Sequence, residues 1–174
     1  MIIDRFIGDY AFLSNFYMDV LSPNITNLAV IIDKKVRFPA KSAEHVYQAC
    51  KASNYKDVEA ILNAPTPGEA RRLGNKVKVN PEFDKNRISI MEKIIANKFS
   101  IKDLEDKLVD TYPNALVEGN VWGDTFWGID LTGNGAGQNN LGKILMAHRK
   151  LVLEKGYAPS VGLVRIVIKK EWSL

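Results

Sequence analysis

A single cysteine, Cys50, in 174 residues excludes an internal disulfide framework and permits no cysteine zinc site. That usage suits a reducing setting, and a cytoplasmic location is the expectation. Two histidines, His45 and His148, are too few to make a protein-built metal centre expected. No apolar run approaches the roughly 20 residues needed to span a bilayer, so no membrane role is expected. The opening Met1-Ile2-Ile3-Asp4-Arg5 lacks the basic-then-apolar layout of a secretory signal. Repeats, low-complexity tracts and linkers are also absent, so one domain with a real core is the natural reading.

What is present belongs to an ordinary globule: 46% apolar and 25% charged residues. The formal charge of +4 leans towards anionic partners. Lysines occur as scattered pairs (Lys34-Lys35, Lys169-Lys170) rather than one block. A phosphorylated metabolite or a nucleic acid is compatible with that charge, and neither is demanded by it.

Hydrophobic patterning reads as helix-dominated with a little sheet, an α+β class. Residues 28 to 38 read as a hairpin turning at Asp33-Lys34-Lys35, with Pro39 stopping its second strand. Ser42 caps a helix over about 43 to 53, and another runs from Tyr55 to Ala64. Thr66-Pro67-Gly68-Glu69 combines an N-cap, a first-turn proline and a capping-box glutamate. Pro81 opens a helix whose face is Ile88, Met91, Ile94 and Ile95, ending near Phe99. A short helix over 101 to 110 uses Ile101, Leu104, Leu108 and Val109. A long one covers Leu141 to Lys155, and Val161 to Lys169 alternates as a closing strand. Strands and helices do not alternate in βαβ order, which argues against a Rossmann architecture.

Three segments carry chemistry-bearing residues. Glu118 to Asp130 holds Trp122, Trp127, three carboxylates, Asn120 and three glycines. It is either a ligand loop, with stacking rings beside proton-carrying groups, or a small core with capped turns. On the helix after Ser42, Glu44, Gln48 and Lys51 share one face at i, i+4 and i+7, with Tyr47 beside it. Glu44 and Lys51 are then about 10 Å apart along the axis. Such a stripe is solvated surface unless it faces a cleft, where the carboxylate serves as acid or base and the amine as nucleophile. His45 lies off the stripe and reads as a satisfied, buried ring. In Phe12-Leu13-Ser14-Asn15-Phe16, the Ser-Asn pair is a turn former or a reader of a polar ligand edge. The Gly-rich run 132–140 matches neither a dinucleotide fingerprint nor a Walker loop. It reads as a turn capped by Asn139 or Asn140, or as a phosphate site at a helix start.

Taken in order, the segments resemble the NADAR (YbiA-like) domain family. The matching residues are Gly8, Phe12-Leu13-Ser14-Asn15-Phe16, Ser42-x-Glu44-His45-x-Tyr47-Gln48-Ala49-x-Lys51 and Ala64-Pro65-Thr66-Pro67-x-Glu69-Ala70. Leu73-Gly74, Met91, Lys98-Phe99, Leu116-Val117-Glu118, Trp122-x-Asp124 and Trp127-Gly128 follow. Asn139-x-Leu141-Gly142, Leu145-Met146 and Arg149 complete the series, which covers roughly residues 6 to 150. The resemblance implies a compact, mostly helical α+β domain over 1–155; residues 156–174 lie outside it and are expected to be a C-terminal extension packed on the same domain as a strand. It also implies N-glycosidase activity without metal or organic cofactor. Two substrate classes come with it: ADP-ribose on the guanine amino group, and phosphoribosylamino-pyrimidine intermediates of riboflavin synthesis.

By the same resemblance Glu44, Lys51 and Asp124 are catalytic. Glu44 and Asp124 manage protons while Lys51 stabilises or captures the opened ribose. Ser14, Asn15, Phe16, Tyr47 and Gln48 line the substrate, and Glu118, Trp122, Trp127 and Gly128 form an opposite wall. Asn139 and Gly142 lie near phosphate, and Arg149 pairs with it or braces the fold. Without catalysis, the pocket reads as an ADP-ribose or NAD sensor. The chain departs from the family pattern at Phe83, where many members carry tryptophan, and at Thr111-Tyr112-Pro113, where a Thr-Gly turn is expected.

Overall fold

The computed structural model describes residues 1–18, 25–32, 36–156 and 164–169. In chain order it contains β1 (Ile2–Ile3), a 3₁₀ turn (Gly8–Leu13), β2 (Ile25–Ile32), β3 (Val36–Ala40), α1 (Ala43–Ala49) and α2 (Tyr55–Asn63). Then come α3 (Pro67–Gly74), α4 (Phe83–Lys98), α5 (Lys102–Asp110), β4 (Ala115–Leu116), β5 (Gly119–Asn120), β6 (Ile129–Asp130), α6 (Asn140–Lys155) and β7 (Val164–Ile166). The fold is α+β and predominantly helical. Its chain is interleaved between two units, Met1–Ser14 with Phe99–Ser160, and Asn15–Lys98 with Val161–Leu174. No helix among the described residues is long and apolar enough to cross a membrane.

In the unit that starts at Asn15, β2 lies between antiparallel β3 and parallel β7. The expected hairpin is therefore present, and its turn at 33–35 lies outside the described residues. Pro39 does not end the strand. It sits inside β3, opposite Ala29, because β3 is the sheet edge and can forgo one ladder donor. Of the closing strand expected over 161–169, residues 164–166 are in strand and 161–163 lie outside the described residues. Helices α1, α2 and α3 pack on one another, while α4 packs on α1 and the sheet.

The helix starts are set by local capping. Ser42 Oγ accepts from His45 N at 3.3 Å, Asn54 Oδ1 from Asp57 N at 2.9 Å, and Thr66 Oγ1 from Glu69 N at 3.1 Å. Glu69 does not close a capping box; its carboxylate turns forward to grip Arg72 with both oxygens. The first helix stops at Ala49 rather than reaching 53. Asn80 accounts for the stop, since its Nδ2 donates to Cys50 O at 2.7 Å and its N to Lys51 O at 2.8 Å. The α4 core face is Met91, Ile94, Ile95 and Lys98, whereas Ile88 is exposed.

The other unit pairs β1 with β4 and β5 with β6, both parallel and two residues long. Helices α5 and α6 pack together, burying Leu104 and Leu108 against the side that holds Leu141, Ile144 and Leu145. Gly142 lets α6 approach β4: a Cβ there would collide with the Leu116 carbonyl and meet Asn139 Nδ2 at 2.6 Å.

His45 ties α1 to the end of α2. Its Nε2 lies 3.1 Å from the Ala64 carbonyl, which can only accept, so Nδ1 accepts from Ser42 Oγ at 2.7 Å. Burial, the largest cause, holds the ring below the ordinary value of 6.5, opposed by the Ala64 hydrogen bond. A depressed folded-state pKa means that stability is complete above about pH 6.5 and is lost as pH falls through the folded value. His148 is shifted the same way, again mainly by burial. Urea denaturation from pH 7.5 to 5 is therefore expected to show falling stability, with a shallower fall in His45→Gln, where His148 alone remains. An equal slope in the two proteins would refute the tie.

Candidate active site

Within the first-described unit the candidate residues converge on α1. The Ser42 cap starts the helix, and the Asn15 carbonyl accepts from Glu44 N at 2.9 Å. Glu44 is buried, with only 6% of its surface exposed. A buried carboxylate requires a donor, and Gln48, one turn on, donates from Nε2 to Glu44 Oε1 at 2.7 Å. Gln48 is itself buried, and its Oε1 has no donor among the described residues; Asn15 Oδ1 is in the same condition. Asn15 Nδ2 rests on Met91 Sδ at 3.6 Å, a weak acceptor. Two buried acceptors therefore lie unsatisfied near a buried carboxylate, an arrangement suited to a ligand rich in N–H or O–H donors.

Lys51 lies just past the helix end, but the turn keeps helical dihedrals at Cys50, so the stripe continues. Its Nζ lies 5.7 Å from the Tyr47 ring centre, 6.0 Å from that of Phe83 and 3.5 Å from Asn75 Oδ1. Burial holds the Lys51 ammonium below the ordinary lysine range. Glu44 opposes that shift, Arg71 adds to it, and Asp84 opposes it. A half-buried amine beside aromatic faces and near a carboxylate is a competent nucleophile or carbonyl trap. Burial pushes the Cys50 thiol up to about 12, so the neighbouring sulfur stays protonated and inert.

The remaining candidates lie in the other unit, and most hold the backbone. Asn120 uses both ends of its amide: Nδ2 donates to Asp124 O and Ile129 O, while Oδ1 accepts from Trp122 N and Asp124 N. Asp124 Oδ1 accepts from Phe126 N at 3.1 Å and Trp127 N at 2.9 Å. Its second oxygen makes no hydrogen bond among the described residues. Gly128 is a close approach, since a Cβ there would collide with the Glu118 carbonyl. Trp122 is 60% exposed, whereas Trp127 is half-buried and meets Phe126 edge-on at 4.8 Å. Ser14 ends the 3₁₀ turn of this unit, whereas Phe16 belongs to the unit that holds α1 and is exposed.

Asn139 does not cap α6 with its side chain. It adopts a left-handed φ of 51° and clips β4, with Oδ1 accepting from Glu118 N and Nδ2 donating to Leu116 O. The first α6 amides are already bonded: Asn140 N to Phe126 O and Leu141 N to Trp127 O. Arg149 braces the 111–114 turn, reaching Thr111 Oγ1 at 2.7 Å and Asn114 O at 2.9 Å. No group of three His, Cys, Asp or Glu residues among those described is placed to hold a metal ion.

The NADAR domain model matches residues 5–152. This chain belongs to the NADAR family. It is similar to a protein named N-glycosidase YbiA from Shigella boydii, 35% identical over 118 residues that cover 66% of this chain and 72% of the relative. A protein from Vibrio vulnificus named for riboflavin biosynthesis is 34% identical over 116 residues, covering 65% of this NADAR chain and 31% of that relative. Among solved structures, the NMR structure of the E. coli protein YbiA superposes with a TM-score of 0.69 at 28% identity, covering 92% of this chain and 89% of the other.

Sequence reasoning on the NADAR chain missed Phe83, Asn75 and Arg71 as neighbours of Lys51. Phe83 is buried and its ring meets that of Tyr47 at a 60° tilt, 5.3 Å between centres, so this departure from the family pattern still supplies an aromatic. Gly74 was quoted only as a motif letter, yet it controls the Glu44–Gln48 pair. A Cβ at 74 would collide with Gln48 Oε1 and lie 2.8 Å from Gln48 Cβ, whereas at Gly68 on the same helix nothing lies closer than 3.9 Å. Gly74→Ala is expected to cost about 1–3 kcal/mol in urea denaturation, by overpacking. Gly68→Ala should be neutral or stabilising by up to about 1 kcal/mol. Equal effects from the two would sink the notch.

Proposed function

We propose that this chain is an N-glycosidase that breaks the bond between ribose C1′ and an exocyclic base amine, removing ADP-ribose from guanine in nucleic acid or nucleotides. The observation that carries the reading is a buried carboxylate, Glu44, on the same stripe as the desolvated amine of Lys51. A non-catalytic ADP-ribose or NAD sensor would need neither. Similarity to proteins named N-glycosidase supports the reaction class. The net charge of +4 supports an anionic, nucleotide-like substrate.

In this reading the glycosylamine first opens. The C1′–O4′ bond breaks, the exocyclic nitrogen's lone pair forms a C1′ iminium, and O4′ takes a proton. Neutral Lys51 Nζ then adds to C1′. A proton passes from Lys51 to the base nitrogen through Glu44. The base amine departs with the electron pair of its bond, leaving a Schiff base between Lys51 and C1′. Water adds to C1′, Lys51 leaves as the amine, and the sugar recloses. Gln48 keeps the Glu44 carboxylate oriented throughout. Asp124 is the second carboxylate that the family motif supplies, with one oxygen that its turn does not use. The competing route is direct displacement by water through an oxocarbenium-like state.

A second substrate reading, phosphoribosylamino-pyrimidine intermediates, is favoured by similarity to the protein named for riboflavin biosynthesis. Incubation with ADP-ribosylated DNA and, separately, with the pyrimidine intermediate tests both, by release of ADP-ribose or of ribose phosphate. Release from neither would leave the sensor reading standing. Borohydride added during turnover is expected to trap a sugar adduct on Lys51, seen by mass spectrometry, and Lys51→Ala to lose at least about 10²-fold in rate. No adduct, with Lys51→Ala fully active, would favour displacement. Attack requires neutral Lys51, so the acid limb of the rate profile should titrate below the ordinary 10.5, and lower still in Glu44→Gln, because Glu44 raises that pKa. Asp124→Asn keeps the turn's acceptor; lost activity with unchanged melting would mark its charge as chemical.

A further inference from the structure

We infer that Arg71 on α3 is an anion-binding residue beside Lys51, holding the phosphate or pyrophosphate of the substrate. The ligand's identity rests on the glycosidase reading, whereas the anion site itself does not. Two contacts fix which face of α3 meets α1. Gly74 abuts Gln48, and Asn75 Oδ1 lies 3.5 Å from Lys51 Nζ. Arg71 precedes Gly74 by three residues and Asn75 by four, so it lies one turn back on that same face. Pro67 and Ala70 are buried along this side, and Arg71 is half-buried.

Its neighbour makes the contrast. Arg72 is exposed and gripped by both oxygens of Glu69, which leaves it occupied. Arg71 makes no hydrogen bond or ion pair with any described residue. Its charge nonetheless reaches Lys51 and presses that ammonium towards the neutral form. A half-buried guanidinium facing another cation, with no ion-pair partner among the described residues, is unfavourable until an anion joins it. The planar fork of arginine suits phosphate oxygens in bidentate geometry. Both candidate substrates carry phosphate: ADP-ribose as a pyrophosphate, the pyrimidine intermediate as a 5′-phosphate. The other phosphate site suggested by the sequence, the start of α6, has its first amides already bonded to Phe126 and Trp127 carbonyls. A cation in the last turn of α3 also suits the helix dipole, and Arg72 shares that benefit, which makes it the control.

The test measures binding of inorganic pyrophosphate and of ADP-ribose by calorimetry, and the thermal shift that each produces. Arg71→Met is expected to weaken both about tenfold or more, Arg71→Lys less, and Arg72→Met not at all. Hydrolysis gives a second readout. Measured on the pH plateau where Lys51 is neutral in both proteins, Arg71→Met should raise KM for a 5′-phosphorylated glycosylamine about tenfold with kcat little changed. KM for the dephosphorylated compound should stay the same. Pyrophosphate bound equally by wild type, Arg71→Met and Arg71→Lys would overturn the inference, as would an equal loss on both substrates. If wild type hydrolyses neither substrate while pyrophosphate binding still depends on Arg71, the glycosidase reading falls and the anion site stands. If Arg71→Met fails to fold, the ranking of Arg71→Lys against Arg72→Met decides.

Discussion

Keeping Glu44 out of water is the constraint around which the α1 region is built. A carboxylate with 6% exposure needs a donor within its own surroundings, and Gln48 is that donor. Gln48 can lie flat under the carboxylate only if α3 comes close without a side chain at the contact, which is the position of Gly74. Once α3 is that close, Asn75 meets Lys51 and Arg71 follows one turn behind. Asn80 holds the Cys50 and Lys51 carbonyls where α1 ends.

In the other unit the governing fact is how little strand there is. Pairs of two residues supply few ladder bonds, so side-chain amides stand in for missing partners. Asn120 fills four such roles around the Trp-Asp loop, and Asn139 completes the edge beyond β4. Asp124 serves the same economy with one of its oxygens. The polar residues that look ligand-like by type are thus also the ones that make a nearly strandless loop hold its shape.

Much of this was legible in the sequence where the cause is local. The caps at Ser42 and Thr66 read correctly, because each side chain bonds an amide three residues away. Helical spacing at i, i+4 and i+7 located the Glu44–Gln48–Lys51 stripe. Features that depend on a distant partner were hidden. Pro39 is tolerated because β3 happens to be an edge, and the end of α1 is decided by Asn80 thirty residues later. Ile88 fits the helical period yet is exposed, while Lys98 is buried with its ammonium 5.6 Å from the Tyr17 ring centre. The two-residue strands carry no periodicity to read. Arg71 and Phe83 become candidates only once it is known which faces of α3 and α4 turn towards α1.

The strand pairing of β2 has an implication for how the chain reaches this state. Val30 pairs with Val164 in parallel register, so the sheet that starts near the beginning of the chain is finished by one of its last described segments. During synthesis the β2–β3 hairpin and four helices emerge with β2 unpaired on the side that β7 later takes. That edge closes only after the whole of the other unit has been made. Such long-range closure is slow relative to local helix formation. The segment 164–166 is thereby the late stitch of this sheet, and a chain cut short before it would present β2 with an unpaired, sticky side.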